Sequence, residues 1–583
     1  MKIQKLKNQI LDSINEQNYV KALEYYLHYE KEGYPFDDSI AILAGSIFHY
    51  FGERENAWDA ISKGLSYNHA NYELYVMLGN YYLEQNLIQA YLCFENALFF
   101  CDNEDDKNVI RSLMEQLSTE YQVPVPKTSF VILSYNLLEY TKKCIESIRS
   151  STPESAREII VVDNASLDGS VEWLRMQSDI ILIENKDNVG FPAGCNQGIT
   201  ASSPNTDIFL LNNDTIVTPN SLFWLRMGLY ENDNVGSTGS VSNYVANGQQ
   251  IEKDFTSIED WLSFSDTNNI PMKSPYEEKL CLVGFALLIK RSALNEIGLL
   301  DEIFTPGNCE DVDYGLRMLK AGYHNILCKN SFILHFGSKS FRKDDQKYFN
   351  LLENNILKLN SKWNMDISKY MHPSVELLDM ISCKQDTPIN ILDINCGCGA
   401  LMAKIKSWYP NSTIYGIEVD SEATAIARAF GQVICNDIEE LELSCPENYF
   451  DYCIIGDALE HLPNPKKFLE ILRRYIKQNG HIILSIQNVK HWSVLLPLLT
   501  EDAFSYSNNG LTDDTPSNIF TLREVLKLLL LCGYEVENYN FTTLGEPTVK
   551  EQEMIQNLVT YMKQPNISTF MAHKYVILAK VVD

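Results

Sequence analysis

The sequence predicts a multidomain chain, with an all-helical repeat followed by two separate α/β domains. Three observations predict it. Residues 1–121 are poor in Gly and Pro and carry apolar residues at helical spacing. From Ser129 the pattern changes to apolar strands alternating with amphipathic helices, each strand ending in a polar loop. The same alternation restarts at Asn390, where the first strand runs into a Gly-rich turn. A chain of 583 residues is also too long for a single core, since domains usually hold about 100–200 residues.

The first element repeats. Gln17–Ala22, Gly52–Ala57 and Gln85–Ala90 align, with their alanines 35 and 33 residues apart, and Gly45 and Gly79 stand 34 apart between them. A small residue at a fixed place in each helix pair lets neighbouring helices approach closely, and a period near 34 resembles a tetratricopeptide array. The resemblance implies a groove that holds a peptide or protein. The alternatives are a helical bundle with chance similarity, or a cap supporting the next domain.

Composition narrows the partners. Apolar residues at 45% and charged residues at 21% argue for globular domains rather than wholesale disorder. Lys and Arg number 48 against 77 Asp and Glu, a net charge of −29. Such a field repels a phosphate backbone or an anionic membrane, so nucleic acid is not an expected partner. The apolar runs, such as Leu282–Ile289, are far below the ~20 residues of a bilayer span. The amino terminus lacks a signal-peptide core, and the 14 cysteines are scattered through apolar segments. A cytoplasmic location with reduced thiols is the expectation.

Tyr121–Pro126 breaks the helices, so residues 122–127 read as a linker. The next domain, residues 128–365, opens on the strand Ser129–Asn136 and a helix over 138–150. A second strand, Glu158–Val162, ends in Asp163-Asn-Ala-Ser-Leu-Asp168-Gly, and a third, Asp207–Leu211, ends in Asn212-Asn-Asp214. Open α/β sheets place ligands at this carboxyl edge. The order Leu133-Ser-Tyr-Asn136, Val162–Gly169, Asn188-Val-Gly190-Phe and Leu211–Asp214 resembles family 2 glycosyltransferases of the GT-A fold. So do Val283–Arg291, Gly298–Glu302, Glu310-Asp-Val-Asp313 and His335-Phe-Gly337.

The resemblance implies transfer from a nucleotide sugar. The departing diphosphate needs its charge neutralised, and a divalent cation on oxygen-rich ligands, Mg or Mn, does this. The family's Asp-x-Asp motif falls on Asn212-Asn213-Asp214, so Asp214 is the implied metal ligand and the first Asp is absent. His335 falls where the family often supplies another ligand; its alternative is a core histidine. Ser134, Asn136, Asp163, Asp168, Asn188, Gly190 and Asn212 are the implied donor-binding positions, with Asp163 and Asp168 at the uridine. For those two an Asx turn is the alternative. Displacement needs a base for the acceptor hydroxyl. In a helix Glu310 and Asp313 share a face while Asp311 points elsewhere. The resemblance makes Asp311 the base, with Glu310 next; an acidic helix start is the alternative. An inverting transfer is implied.

Residues 366–583 make the last domain. Asn364 to about His372 is a junction and residues 373–385 form a leader helix. Asn390–Asp393 is then a strand, followed by Asn395-Cys-Gly397-Cys-Gly399. Ile414–Glu418 ends the next strand in an acid, Asp437 follows, and Asp451–Ile455 leads into Gly456-Asp457-Ala-Leu-Glu-His461. This series resembles class I S-adenosylmethionine-dependent methyltransferases. The resemblance implies Asp393, Gly397, Gly399, Glu418, Asp437 and Asp457 as cofactor contacts. Two positions depart from the family: Asn395 replaces the first glycine, and Pro516 stands where related sugar-methylating enzymes carry a His. His461 or His491 then remain as proton acceptors for methyl transfer. The alternative is a decayed domain retained for assembly.

The three parts together resemble bifunctional proteins of flagellin glycosylation loci. That implies a UDP-N-acetylhexosamine donor, a Ser/Thr hydroxyl acceptor and methylation of the glycan. A rhamnosyl or hexosyl transferase of cell-surface polysaccharide is the second reading, and a non-catalytic nucleotide-binding scaffold the third.

Overall fold

The computed structural model describes residues 2–337, 345–438, 443, 445–502, 518–563 and 565–582. They divide into two compact units, Met1–Leu359 and Asn360–Asp583.

The first unit begins with the helices Lys2–Asn15, Tyr19–Lys31, Asp38–Tyr50, Arg54–Tyr67, Tyr72–Tyr82, Leu87–Phe100 and Glu104–Thr119. Asn18, Asp37, Asn71, Asn86 and Asn103 cap helix starts with side-chain oxygens, satisfying backbone N–H groups that have no helical partner. The repeat glycines sit where helices touch. A Cβ on Gly45 would lie 2.5 Å from the Met77 methyl, and one on Gly79 would lie 2.4 Å from the Phe94 ring. A third close approach, Gly64 on Ala41, uses a glycine outside the repeat pattern.

These helices share one core with the following sheet. Tyr75, Leu78 and Phe94 pack in the same cluster as Phe223, Trp224 and Leu225. Polar side chains tie the seam: Gln89 Nε2 donates to the Met227 carbonyl at 2.9 Å, Asn86 Nδ2 to Tyr230 O at 2.7 Å, and Asn96 Nδ2 to Asn220 Oδ1 at 3.1 Å. Arg226 pairs with Glu95 across it, both nearly inaccessible to solvent. The array is therefore built into the same unit as the sheet rather than hung from it by residues 122–127.

The sheet comprises β1 (Thr128–Ser134), β2 (Arg157–Asp163), β3 (Ile180–Glu184), β4 (Asp207–Asn212), β5 (Thr215–Val217), β6 (Val235–Val241), β7 (Tyr276–Lys279), β8 (Ala286–Ile289) and β9 (His324–His335). Their order is β3-β2-β1-β4-β8-β6-β9-β5, with β7 on β9. The strands β3, β2, β1 and β4 are parallel, so Ser134, Asp163 and Asn212 end at one edge. Apolar runs buried on both faces are what such strands require.

The second unit carries β10 (Asn390–Ile394), β11 (Thr413–Glu418), β12 (Gln432–Cys435), β13 (Phe450–Ile455), β14 (Ile476–Gln487), β15 (Tyr534–Thr543) and β16 (Ala572–Val581). The order is β12-β11-β10-β13-β14-β16-β15, parallel through β14 and antiparallel at β16 and β15. The leader helix expected over 373–385 is only Val375–Leu378; Ser382, Asp386 and Pro388 favour turns over helix continuation. Pro516 and the segment 503–517 lie outside the described residues.

Candidate functional sites

At the carboxyl edge of β4 the chain turns at once into β5, which pairs antiparallel with β9 so that Thr215 faces His335. That register sets His335 beside Asp214. Nε2 of His335 lies 3.2 Å from Asp214 Oδ1 and 3.4 Å from Asn212 Nδ2. Its Nδ1 lies 2.8 Å from the Tyr244 carbonyl. A carbonyl only accepts, so Nδ1 carries a proton and Nε2 is the ring nitrogen turned to the carboxylate. Asn243 brackets the same residue, accepting from His335 N and donating to His335 O, and the Phe285 ring stacks on the imidazole with centroids 5.1 Å apart. Two lone-pair donors facing each other suit a divalent cation, with one nitrogen and one oxygen ligand. No group of three or more His, Cys, Asp or Glu suited to a metal occurs among the described residues, so diphosphate and water would complete the shell. Asn213 faces away, donating to Thr141 Oγ1 at 2.9 Å.

The acidic helix reaches this place through Gly284. Asn212 N donates to Phe285 O at 2.9 Å, and Gly284 N donates to Asp311 Oδ2 at 3.2 Å. Helix Glu310–Lys320 buries Glu310 and Asp313, while Asp311 is only half-buried. Asp313 is held by Arg317. Burial pushes the Glu310 carboxyl up, with the neighbouring Asp311 charge second, and its Oε2 has no hydrogen-bond partner. Burial raises Asp311 as well. A carboxylate with a raised proton affinity is the right kind of group to take a hydroxyl proton. The loop before the helix is held by Asn355, which donates to the carbonyls of Phe304 and Gly307 at 2.8 and 2.9 Å.

The implied donor residues have more local duties in the structure. Asp163 accepts from Ser166 N at 2.8 Å and Ser166 Oγ at 2.6 Å. Asp168 accepts from Leu138 N and from Ser170 N and Oγ. Asn136 accepts from Leu167 N at 2.9 Å. These bonds shape the loop over 164–169, as the Asx-turn alternative describes. Ser134 Oγ is buried without a hydrogen-bond partner. Asn188 Oδ1 accepts from Gly190 N at 2.9 Å. Gly190 has φ +86°, and a Cβ there would fall 2.8 Å from Thr305 Cγ2 and 2.9 Å from Pro306 Cα. Asn243, Tyr244 and Phe285 were not assigned from sequence; only β9 and the loop after β6 bring them to His335.

In the second unit the glycine turn follows β10. Asn395 adopts φ +60°, a left-handed conformation that Asn tolerates, so the departure leaves the turn intact. Gly397 N donates to Glu418 Oε2 at 2.8 Å, and Glu418 Oε1 accepts from Val419 N and Asp420 N. Asp393 is buried with Oδ2 lacking a hydrogen-bond partner; burial, then the Glu418 charge, pushes it up to about 8. Gly399 packs on Phe430 and Ala427. Asp437 is exposed past the end of β12. Asp457 accepts from Ser485 Oγ at 2.7 Å and pairs with Lys574.

The two candidate histidines differ. His461 is exposed. His491 is buried, its Nδ1 lies 2.7 Å from Ser493 Oγ, and burial followed by His573 lowers it to about 4. The nearer titratable group at the β13 edge is Glu460, which sequence reasoning passed over. Its Oε1 accepts from Gln487 N at 2.7 Å, its Oε2 is buried without a hydrogen-bond partner, and burial and then Asp457 raise it to about 7.

Comparison with known proteins agrees with this division. Residues 129–298 match Glycosyl transferase family 2, and residues 392–484 match a Methyltransferase domain. Glycosyltransferase AglE of Haloferax volcanii is 30% identical over 208 residues, 34% of this chain and 63% of that protein. Trans-aconitate 2-methyltransferase of Deinococcus radiodurans is 29% identical over 129 residues, 21% of this chain and 47% of that one. The chain thus spans between about half and two thirds of the curated relatives it matches. A solved structure of GalNAc-T7 with UDP, GalNAc and Mn2+ aligns over 39% of this chain and 48% of that chain, at 13% identity and a TM-score of 0.31. No helix among the described residues is long and apolar enough to cross a membrane.

Proposed function

We propose that the chain is a cytoplasmic, inverting glycosyltransferase that moves a sugar, N-acetylhexosamine from a UDP donor, to a Ser/Thr hydroxyl of a protein such as flagellin. The observation that carries the transferase reading is the contact of His335 with Asp214, beside Asn212 and Phe285, with Asp311 bonded to the neighbouring Gly284. Asp214 and His335 would hold a divalent cation, Mn or Mg, which would supply positive charge for the departing diphosphate. The acceptor oxygen bonds to the anomeric carbon as the bond from that carbon to the diphosphate oxygen breaks. The electron pair leaves with the diphosphate, and the hydroxyl proton passes to Asp311. The neighbouring Glu310 is buried, and the Asp311 charge adds to burial in raising its proton affinity. Residues 128–365 carry this reaction and the array over 1–121 presents the acceptor.

The domain over 366–583 binds S-adenosylmethionine and methylates the transferred sugar. Its support is the turn at Gly397 held to Glu418, next to the buried Asp393. Acidic side chains around a glycine turn suit a cofactor that offers ribose hydroxyls and a sulfonium cation.

The test is nucleotide release from UDP-, GDP- and dTDP-sugars with Mn, comparing wild type with Asp214→Ala, followed by the intact mass of flagellin after incubation with the active donor. Asp214-dependent release and a mass gain of one sugar support the reading. No Asp214-dependent release from any donor, with flagellin present, overturns it.

A further inference from the structure

The sequence marks residues 364–372 as a junction, yet the structure folds them onto the glycine turn. Met365 and Ile367 are buried, and Met365 Sδ lies 4.0 Å from Cys398 Sγ. The single turn Ile367–Lys369 then delivers Tyr370. The Tyr370 ring lies flush on Gly397: a Cβ there would fall 2.4 Å from Cδ1 and 3.1 Å from both Cε1 and Cγ. Gly397 is therefore required twice, for its φ of +55° and for this approach. Its own N–H is bonded to Glu418. The phenol is half-buried, and after burial itself the charges of Glu418 and Asp420 do most to raise it. Ring, glycine backbone and both carboxylates thus lie close together.

That combination has a chemistry. A carboxylate pairs with vicinal hydroxyls, a bare glycine backbone admits close contact, and an aromatic face packs against the C–H face of a sugar ring. We propose that Tyr370 is a cofactor-binding residue, forming with Glu418 the wall against which the ribose of an adenosyl ligand rests. This rests on the reading of the second unit as a binder of S-adenosylmethionine. It also makes the junction part of the site.

Calorimetry on the full chain separates the two ideas, using S-adenosylhomocysteine and methylthioadenosine, which share the ribose and differ in the amino-acid arm. Tyr370→Ala should weaken both ligands by the same factor, about tenfold or more. Tyr370→Phe keeps the ring on Gly397 and should bind both ligands within about twofold of wild type, with an unchanged melting temperature of the free protein. The assignment is overturned if Tyr370→Ala binds as tightly as wild type, or if only S-adenosylhomocysteine is affected. Should Tyr370→Ala not fold, Tyr370→Leu decides: wild-type affinity for both ligands without the aromatic face overturns the assignment. No heat with the wild type overturns the cofactor reading itself.

Discussion

His335 donates through Nδ1 to the Tyr244 carbonyl and faces the Asp214 carboxylate through Nε2, 3.2 Å away. The first contact limits the second. With its Nδ1 proton committed, the imidazole meets the carboxylate either as a lone pair, which a cation must bridge, or as an imidazolium. Adding a divalent cation selects the first state.

Removing either ligand tests this. His335→Ala and Asp214→Ala should each lower donor turnover about a hundredfold or more, on the order of 3 kcal/mol in the barrier. His335→Ala should in addition need a higher Mn concentration for its residual rate. Unchanged Mn dependence in steady-state assays of His335→Ala would remove the histidine from the metal shell.

The acidic pair predicts a pH profile. Asp311 is raised by burial, and it must be ionised to take a proton, so the rate should climb with pH through that raised value. Glu310→Gln removes the group that the Asp311 charge raises and leaves the burial of Asp311 unchanged, so the acid limb should stay in place with little loss at the plateau. Asp311→Asn should cost about a hundredfold at every pH. An acid limb that moves to lower pH in Glu310→Gln would mean that Glu310, and not the burial of Asp311 alone, sets it. For stability the sign is opposite. Carboxyls raised in the folded state bind extra protons there, so they favour folding below their unfolded values and lose that contribution as pH rises through the folded ones.

The seam between array and sheet makes a prediction about domain independence. Arg226 and Glu95 are buried opposite one another, and removing one leaves an uncompensated charge, typically costing about 3–5 kcal/mol. Glu95→Ala should therefore lower the melting temperature of the transferase unit. Deletion of residues 1–121 should go further, baring Phe223 and Trp224, and leave no donor turnover. A deletion that folds and still cleaves donor would return the array to the role of a separable acceptor module.

Much of this site was legible because it lies at strand ends. Asp214 and His335 each follow an apolar run, and such acids and histidines stand out in a sequence. Asn243 and Tyr244 did not, since their roles depend on a pairing 91 or 92 residues away. The seam escaped for the same reason: Gln89 and Met227 are 138 residues apart. Asp163 and Asp168 show the reverse difficulty. A short polar loop offers the same residue types whether it holds a nucleotide or itself, and here their hydrogen bonds run within the loop and to the adjoining helix starts. The junction misled because its buried residues are interspersed with turn formers, so no period marked Tyr370 as packed on Gly397.

Asp393 gives the last prediction. Its carboxyl is buried with one oxygen lacking a hydrogen-bond partner, and burial with the Glu418 charge raises it to about 8 from an ordinary value of 3.8. Between those values the folded state holds a proton that the unfolded state has released. Stability from this group is therefore complete below about pH 4, declines as pH rises towards 8, and is gone above it. Asp393→Asn is neutral throughout and should flatten that decline, so that the variant gains on wild type as pH increases. Thermal melts of the full chain from about pH 5 to 8 would show it as a narrowing gap, or a reversed order, in the transition of the second unit. Parallel curves for the two proteins would mean that Asp393 is already ionised at neutral pH.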